Sequence, residues 1–211
     1  MFKRFRCGSN GTMLVFSSLV CVLLLVACGN SPSSDTTSTT ASTPTQAATP
    51  ASPTAEAGAM TPYQGNSFTI SYPQNWQVSK QANNLFTFTD STGGIKMTIT
   101  VTPNPNEVIS ADSVASAALQ AAQVLLKNAQ TVSMASTTTV GGDSWSQVSA
   151  SGTQRLNNQD IAIQVVVIAA VHPAKSLMSK SFTILYQAPT EVYSQIDSTY
   201  FQPMLQSFQF T

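Results

Sequence analysis

Apolar and polar positions alternate with two different periods along the C-terminal three quarters of the chain, and those periods predict its elements. Phe68, Ile70 and Tyr72 alternate with Thr69 and Ser71, the period of a half-buried strand. Ile95, Met97, Ile99 and Val101 repeat the pattern against Lys96, Thr98 and Thr100. A preceding strand over 85–89 and the turn-forming run from Asp90 to Gly94 make the two a hairpin. Between the opening strand and this hairpin, "YPQNWQV" reads as a Pro-marked bend followed by a buried tryptophan, Trp76. The period then changes. Val114, Ala118, Ala121 and Leu125 recur at helical spacing within residues 110–130, where Ser110 or Asp112 can cap the first turn. The alanine-rich stripe is expected to sit close against a sheet as core, or less favourably to offer a partner groove.

Three further strands are expected at about 132–140, 144–152 and 161–171. The last is apolar on both alternating sides, Ile161, Ile163, Val165 and Val167 against Val166, Ile168 and Ala170, so both its faces should be covered. Residues 181–187 alternate again, and Thr190 is placed to cap a closing helix through Val192, Ile196 and Tyr200 toward Leu205. Strands, helix, strands, helix, with short connections, predict an α+β layered sandwich built on antiparallel neighbours.

The N-terminal pattern is of another kind. Lys3, Arg4 and Arg6 precede residues 13–27, which are apolar or small except for Ser17 and Ser18, a charged region followed by the core of an export signal. A spanning helix needs about 20 apolar residues, and this run is shorter. It ends in Leu25-Val26-Ala27-Cys28, which resembles the lipobox of bacterial lipoproteins. That resemblance implies cleavage before Cys28, acylation of its thiol and a membrane anchor on the extracytoplasmic side of the cell envelope. Two or more acyl chains turn marginal membrane binding into stable anchoring. Cys7 and Cys21 would leave with the signal and Cys28 would carry lipid, so no thiol remains for disulfides, thiolate metal sites or cysteine nucleophiles.

Composition separates this leader from the folded part. Of the 32 residues from 31 to 62, 27 are Ser, Thr, Pro or Ala, too little apolar bulk to offset folding entropy. The expected organisation is a signal peptide over 1–27, a lipidated cysteine with a disordered linker over 28–62, and one globular domain of 149 residues over 63–211. The linker composition is also compatible with O-glycosylation. Past Cys28, six basic side chains face nine acidic ones, a net charge of −3 with no basic run. Nucleic acid is therefore not an expected partner.

The stretches "FTISYPQNWQV", "FTFTDSTGGIKMTITV" and "YFQPMLQSFQF" together resemble the PsbP family, the extrinsic protein of photosystem II and its bacterial lipoprotein relatives. The resemblance spans about 63–211 and implies a central antiparallel sheet with helices on both faces. Its photosynthetic members are membrane-extrinsic subunits associated with calcium retention at the manganese cluster. No ion-binding residue of theirs maps onto this chain.

Chemistry-bearing residues are sparse. His172 is the single histidine, which excludes a His-rich zinc site and leaves a surface role as the expected one. Without a "GxSxG" elbow, the remaining nucleophile arrangement is a Ser-Lys pair, Ser179 with Lys180 or Lys175. Asp90, Asp143 and Asp160 fall in turn-forming stretches that account for them. Trp76 and Trp145 are expected to pack rather than stack on sugars. The function expected is a lipid-anchored extracytoplasmic binding or interaction module, not an enzyme, with no cofactor or metal, attached to the membrane by Cys28 and serving a protein or small-molecule partner. The alternatives are a photosystem-associated PsbP-type subunit or a cell-envelope hydrolase.

Overall fold

The computed structural model describes residues 58–81 and 84–211. The export signal, Cys28 and nearly all of the expected linker lie outside them.

Two antiparallel sheets organise the domain. The smaller has the order β1 (Met60–Gln64), β2 (Phe68–Pro73) and β11 (Gln209–Phe210), with β2 in the centre. The larger runs β3 (Gln77–Gln81), β4 (Leu85–Thr89), β5 (Lys96–Pro103), β10 (Lys180–Pro189), β9 (Gln159–His172), β8 (Asp143–Leu156) and β6 (Lys127–Val132). β7 (Thr137–Val140) also pairs with β8. β1 opens at Met60, inside the tract rich in Ser, Thr, Pro and Ala.

Tight turns set the register of the longest pairs. β7 and β8 join through Gly141 and Gly142 (φ 61° and 85°), and β8 and β9 through Asn157 and Asn158 (φ 48° and 64°). Positive φ at both central residues is the turn whose twist matches that of paired strands. The "GGDS" and "NNQD" stretches are thus hairpin turns, as their composition predicts.

Alternation along the central strands sends side chains to two separate cores. β9 contributes Val166, Ile168 and Ala170 to one and Ile163, Val165, Val167 and Ala169 to the other, which is the two-sided burial its sequence predicts. The first core is aromatic: Phe86, Phe88 and Phe182 of the large sheet meet Phe68 of β2, Trp76, Trp145 and Phe208. Phe68 stacks on Phe208 at 5.6 Å between ring centres and meets Phe86 edge-on at 5.1 Å. The second core lies under helix α1 (Ala111–Val124), whose Ala115 and Leu119 are buried against Ala150, Ile163 and Val165. All of these residues fall within the described segments.

The architecture is α+β on a large antiparallel sheet, as the strand pattern predicts. The three-stranded sheet that closes much of the first core was not foreseen. Two helices also differ from their expected form. α1 ends at Val124 rather than near residue 130, because residues 127–132 pair with β8 as an edge strand containing an irregularity between Lys127 and Gln130. Asn128 there has φ 52°, a conformation no right-handed helix accepts. The expected strand over 132–140 is accordingly split between the end of β6 and β7. The closing helix is broken as well: α2 (Tyr193–Ile196), a π turn over Asp197–Phe201 and α3 (Gln202–Gln206). Pro203 lacks the N–H that a continuous α-helix would use, and the wider turn absorbs the gap. Thr190 starts a 3₁₀ turn without capping it through its side chain.

Candidate functional site

α1 covers only part of the large sheet. It lies over β8, β9 and the neighbouring edge of β10, while β5 and most of β4 carry polar side chains on the same face, because Met97, Ile99 and Val101 of β5 and Phe86 and Phe88 of β4 point to the aromatic core. A groove of about 480 Å³ results between the helix and the uncovered strands. Ala118, Ala121 and Ala122 of α1, with Leu125 and Leu126 just after it, form one wall. Thr98 and Thr100 of β5 with Thr183, Leu185 and Gln187 of β10 form the floor, and Leu85 and Val165 add apolar surface. Gln187 is buried, and its Nε2 donates to Gln154 Oε1 at 3.1 Å, which joins the two amides of the lining. Among the described residues of the lining, Lys96 is the one that is ionisable.

The helical stripe therefore divides. Val114 and Ala118 pack toward the second core with Ala115, Leu119 and Ala122. Ala121 and Leu125, expected in the same stripe, are exposed and face the groove instead. The volume lies within the range of small-molecule sites, about 300–1,000 Å³, and the mixture of an apolar wall and a few hydrogen-bonding groups is their usual chemistry.

The residues singled out from the sequence lie elsewhere. His172 is neither isolated nor free: its Nδ1 sits 2.8 Å from Asp143 Oδ2, with the side chains 36 % and 44 % exposed. Its ring lies flat on Phe210, 3.8 Å between centres and 2° between planes. Asp143 thus serves as more than a turn residue. Among the described residues no hydrogen bond joins a hydroxyl to His172. Ser179 pairs with neither expected lysine. Its Oγ lies 2.7 Å from the carbonyl oxygens of both Pro173 and Ser176, either of which can take its one proton, and accepts from Ser176 N–H at 3.1 Å, a brace within its loop. Lys180 instead reaches Ser67 Oγ at 2.6 Å, beside a small polar pocket containing Asn66 and Asn84.

Asp90 caps its own turn, accepting from the N–H groups of Thr92 and Ile95, as expected. Asp160 forms a surface ion pair with Lys127 at 3.2 Å. Trp76 is buried beside Tyr200 and Phe201. Trp145 is wholly buried and donates from Nε1 to Val140 O at 3.0 Å, which leaves neither ring for a sugar. Among the described residues no three or more His, Cys, Asp or Glu side chains gather as metal ligands, and no helix is long and apolar enough to cross a membrane.

One polar cluster went unseen in the sequence. Tyr186, Tyr193 and Asp197 come together where β10 meets the closing helices, and burial raises both phenols well above their ordinary range, with Tyr186 and Asp197 adding to the effect on Tyr193. Burial also raises the Asp197 carboxyl, against hydrogen bonds from Gln202 Nε2 at 3.2 Å that favour its ionised form. The helical spacing of Tyr193 and Asp197 was a signal available in the sequence; their meeting with Tyr186 was not.

No protein-family model matches the sequence, and no curated protein matches it. Among solved structures, the chain is similar to LpqN, a protein involved in cell envelope biogenesis of Mycobacterium tuberculosis, with a TM-score of 0.45 and 15 % identity over 72 % of this chain and 91 % of that one. A protein from Bacteroides thetaiotaomicron gives 0.41 and 10 % over 74 % of this chain, which spans about half (49 %) of that protein. A protein of unknown function from Pseudomonas aeruginosa gives 0.30 and 17 %, over 67 % of this chain and 91 % of that one.

Proposed function

We propose that this protein is a lipid-anchored extracytoplasmic binding module that holds a small amphiphilic molecule in the groove between α1 and the large sheet. The observation that carries the reading is the groove: an apolar helical wall faces a floor of threonine and glutamine side chains, with a single lysine in the lining. Such a lining suits an aliphatic chain along Ala118, Ala121, Leu125 and Leu185, with an anionic or hydroxylated head toward Lys96. Its groups pack and hydrogen-bond rather than exchange protons, which favours binding over catalysis. A purely structural envelope role would have no use for an open apolar trough of this size.

The anchoring half of the proposal rests on the sequence Leu25-Val26-Ala27-Cys28 and its basic, apolar leader. The PsbP-type sandwich with helices on both faces is the fold reading that accompanies it. The motifs quoted above support it, as does the entry of α1 and of the helices between 193 and 206 into different cores.

Titration of residues 58–211 with an environment-sensitive fluorescent fatty acid tests the groove. Saturable binding is expected. Ala121→Trp fills the trough from an exposed helix position and should weaken binding at least about tenfold, while Lys96→Gln weakens an anionic probe severalfold. A signal that does not saturate, or that Ala121→Trp leaves unchanged, sinks the reading.

A further inference from the structure

Of the seven large apolar side chains exposed in the described residues, four lie together: Val108 (78 % exposed), Ile109 (52 %), Leu177 (74 %) and Met178 (75 %). They come from two loops, one leading from β5 to α1 and the other from β9 to β10. Because β10 lies between β5 and β9, both loops leave the same end of the large sheet. Hydrogen bonds tie them to each other: Asn104 N–H to Ser179 O at 2.8 Å, Asn106 N–H to Ser176 O at 3.1 Å, and the Lys175 N–H to the Glu107 carboxylate.

The tip is braced from below. Asn104 is buried and its side chain holds both the N–H and the carbonyl of Ile109, while also donating to Ser181 Oγ at 2.9 Å. Asn106, Glu107 and Lys175 all adopt positive φ, between 52° and 59°, a conformation non-glycine residues keep only where their surroundings enforce it. Polar groups thus do the internal work of both loops, and the apolar side chains are turned out to solvent. A tip built inside out in this way needs an apolar environment to meet.

We propose that this tip inserts into the surface of the lipid bilayer to which the chain is anchored, an inference that rests on the anchoring reading above. Size favours a bilayer over a protein. A stable protein interface engages about 20–30 residues a side, whereas four loop side chains are enough to enter the headgroup boundary, about 5–10 Å deep. Charge agrees: Lys175 and Glu107 are the only charged residues of the two loops, so they balance, and insertion is driven by apolar contact. The chain between Cys28 and Ala59 supplies the rest. Its 30 residues are enough, by covalent geometry alone, to reach at most about 100 Å. Tethering at that range adds to the partitioning of the tip itself by raising its effective concentration at the membrane.

Flotation of residues 58–211, which hold both cores but lack Cys28, with vesicles of phosphatidylcholine and phosphatidylglycerol tests the tip independently of the anchor. The domain should float, with little change at raised salt. Replacing Val108, Leu177 and Met178 by serine should lower partitioning by about tenfold per side chain, with fatty-acid probe binding in the groove unchanged. A polarity-sensitive dye on Leu177→Cys should shift to the blue on adding vesicles. The same dye on Ser91→Cys, in the turn at the opposite end of the sheet, should not. The proposal is overturned if the domain does not float, if the serine variant floats equally well, or if the tip drives dimer formation in sedimentation without vesicle binding, which would assign it to a second copy of the chain.

Discussion

Asp197 shows what a single burial does to the acid limb of stability. Its carboxyl is half-buried beside Tyr186 and Tyr193, and burial raises its pKa in the folded state. An unfolded aspartate titrates near about 3.9, so between that value and the higher folded one the native state binds more protons than the unfolded state. Stability is therefore fullest below the unfolded value and falls as pH rises through the folded one. Asp197→Asn should flatten that slope and raise stability on the neutral side, as urea unfolding measured across the acid range would show; parallel curves for the two proteins would count against it. The two tyrosines act at the other limb, where the folded state retains phenolic protons that the unfolded chain loses above about pH 10. Some of this chemistry was visible in the sequence, because Asp90 satisfies N–H groups two and five residues away. The His172–Asp143 pair was not, since its partners are 29 residues apart and meet only because β8 and β9 return on each other.

Element boundaries were legible where a local period agreed with the surrounding sheet. β2, β4, β5 and β10 stand close to where alternation puts them, and Ser110 caps α1, accepting from Ser113 N–H at 3.2 Å. The end of α1 was not legible, because the run after Val124 is compatible with helix until β8 claims it as an edge strand. Gly152 is where that pairing leaves no room. A Cβ there would lie 2.8 Å from Leu126 Cβ and 3.0 Å from Lys127 O. Gly152→Ala should therefore force β6 and the end of α1 outward and destabilise the domain by about 1–3 kcal/mol in denaturant unfolding. Gly58→Ala is the matching control, since nothing lies within 4 Å of that site and its backbone is not left-handed. Equal losses for the two variants would rule out the packing explanation.

At the scale of the whole molecule, the groove exists because one helix covers part of a wide sheet, and the apolar tip exists because β10 brings two distant loops to one end. Both are held away from the aromatic core, so substitutions in the groove or the tip leave the packing of that core in place. The proposed anchor would join these features to a location: Cys28→Ser should move the protein from the membrane to the soluble fraction, and an unchanged distribution in fractionated cells would contradict lipidation at that residue. The sequence by itself determined the α+β class, the two-sided central strand, the bend at Trp76 and the turns of the hairpins, because each depends on side-chain period or local backbone preference. Only the tertiary structure decided the second sheet, the end of α1, the partners of His172 and Lys180, the groove and the tip. Those depend on which strands become neighbours, and pairing between residues far apart in the chain leaves no periodic trace in the order of amino acids.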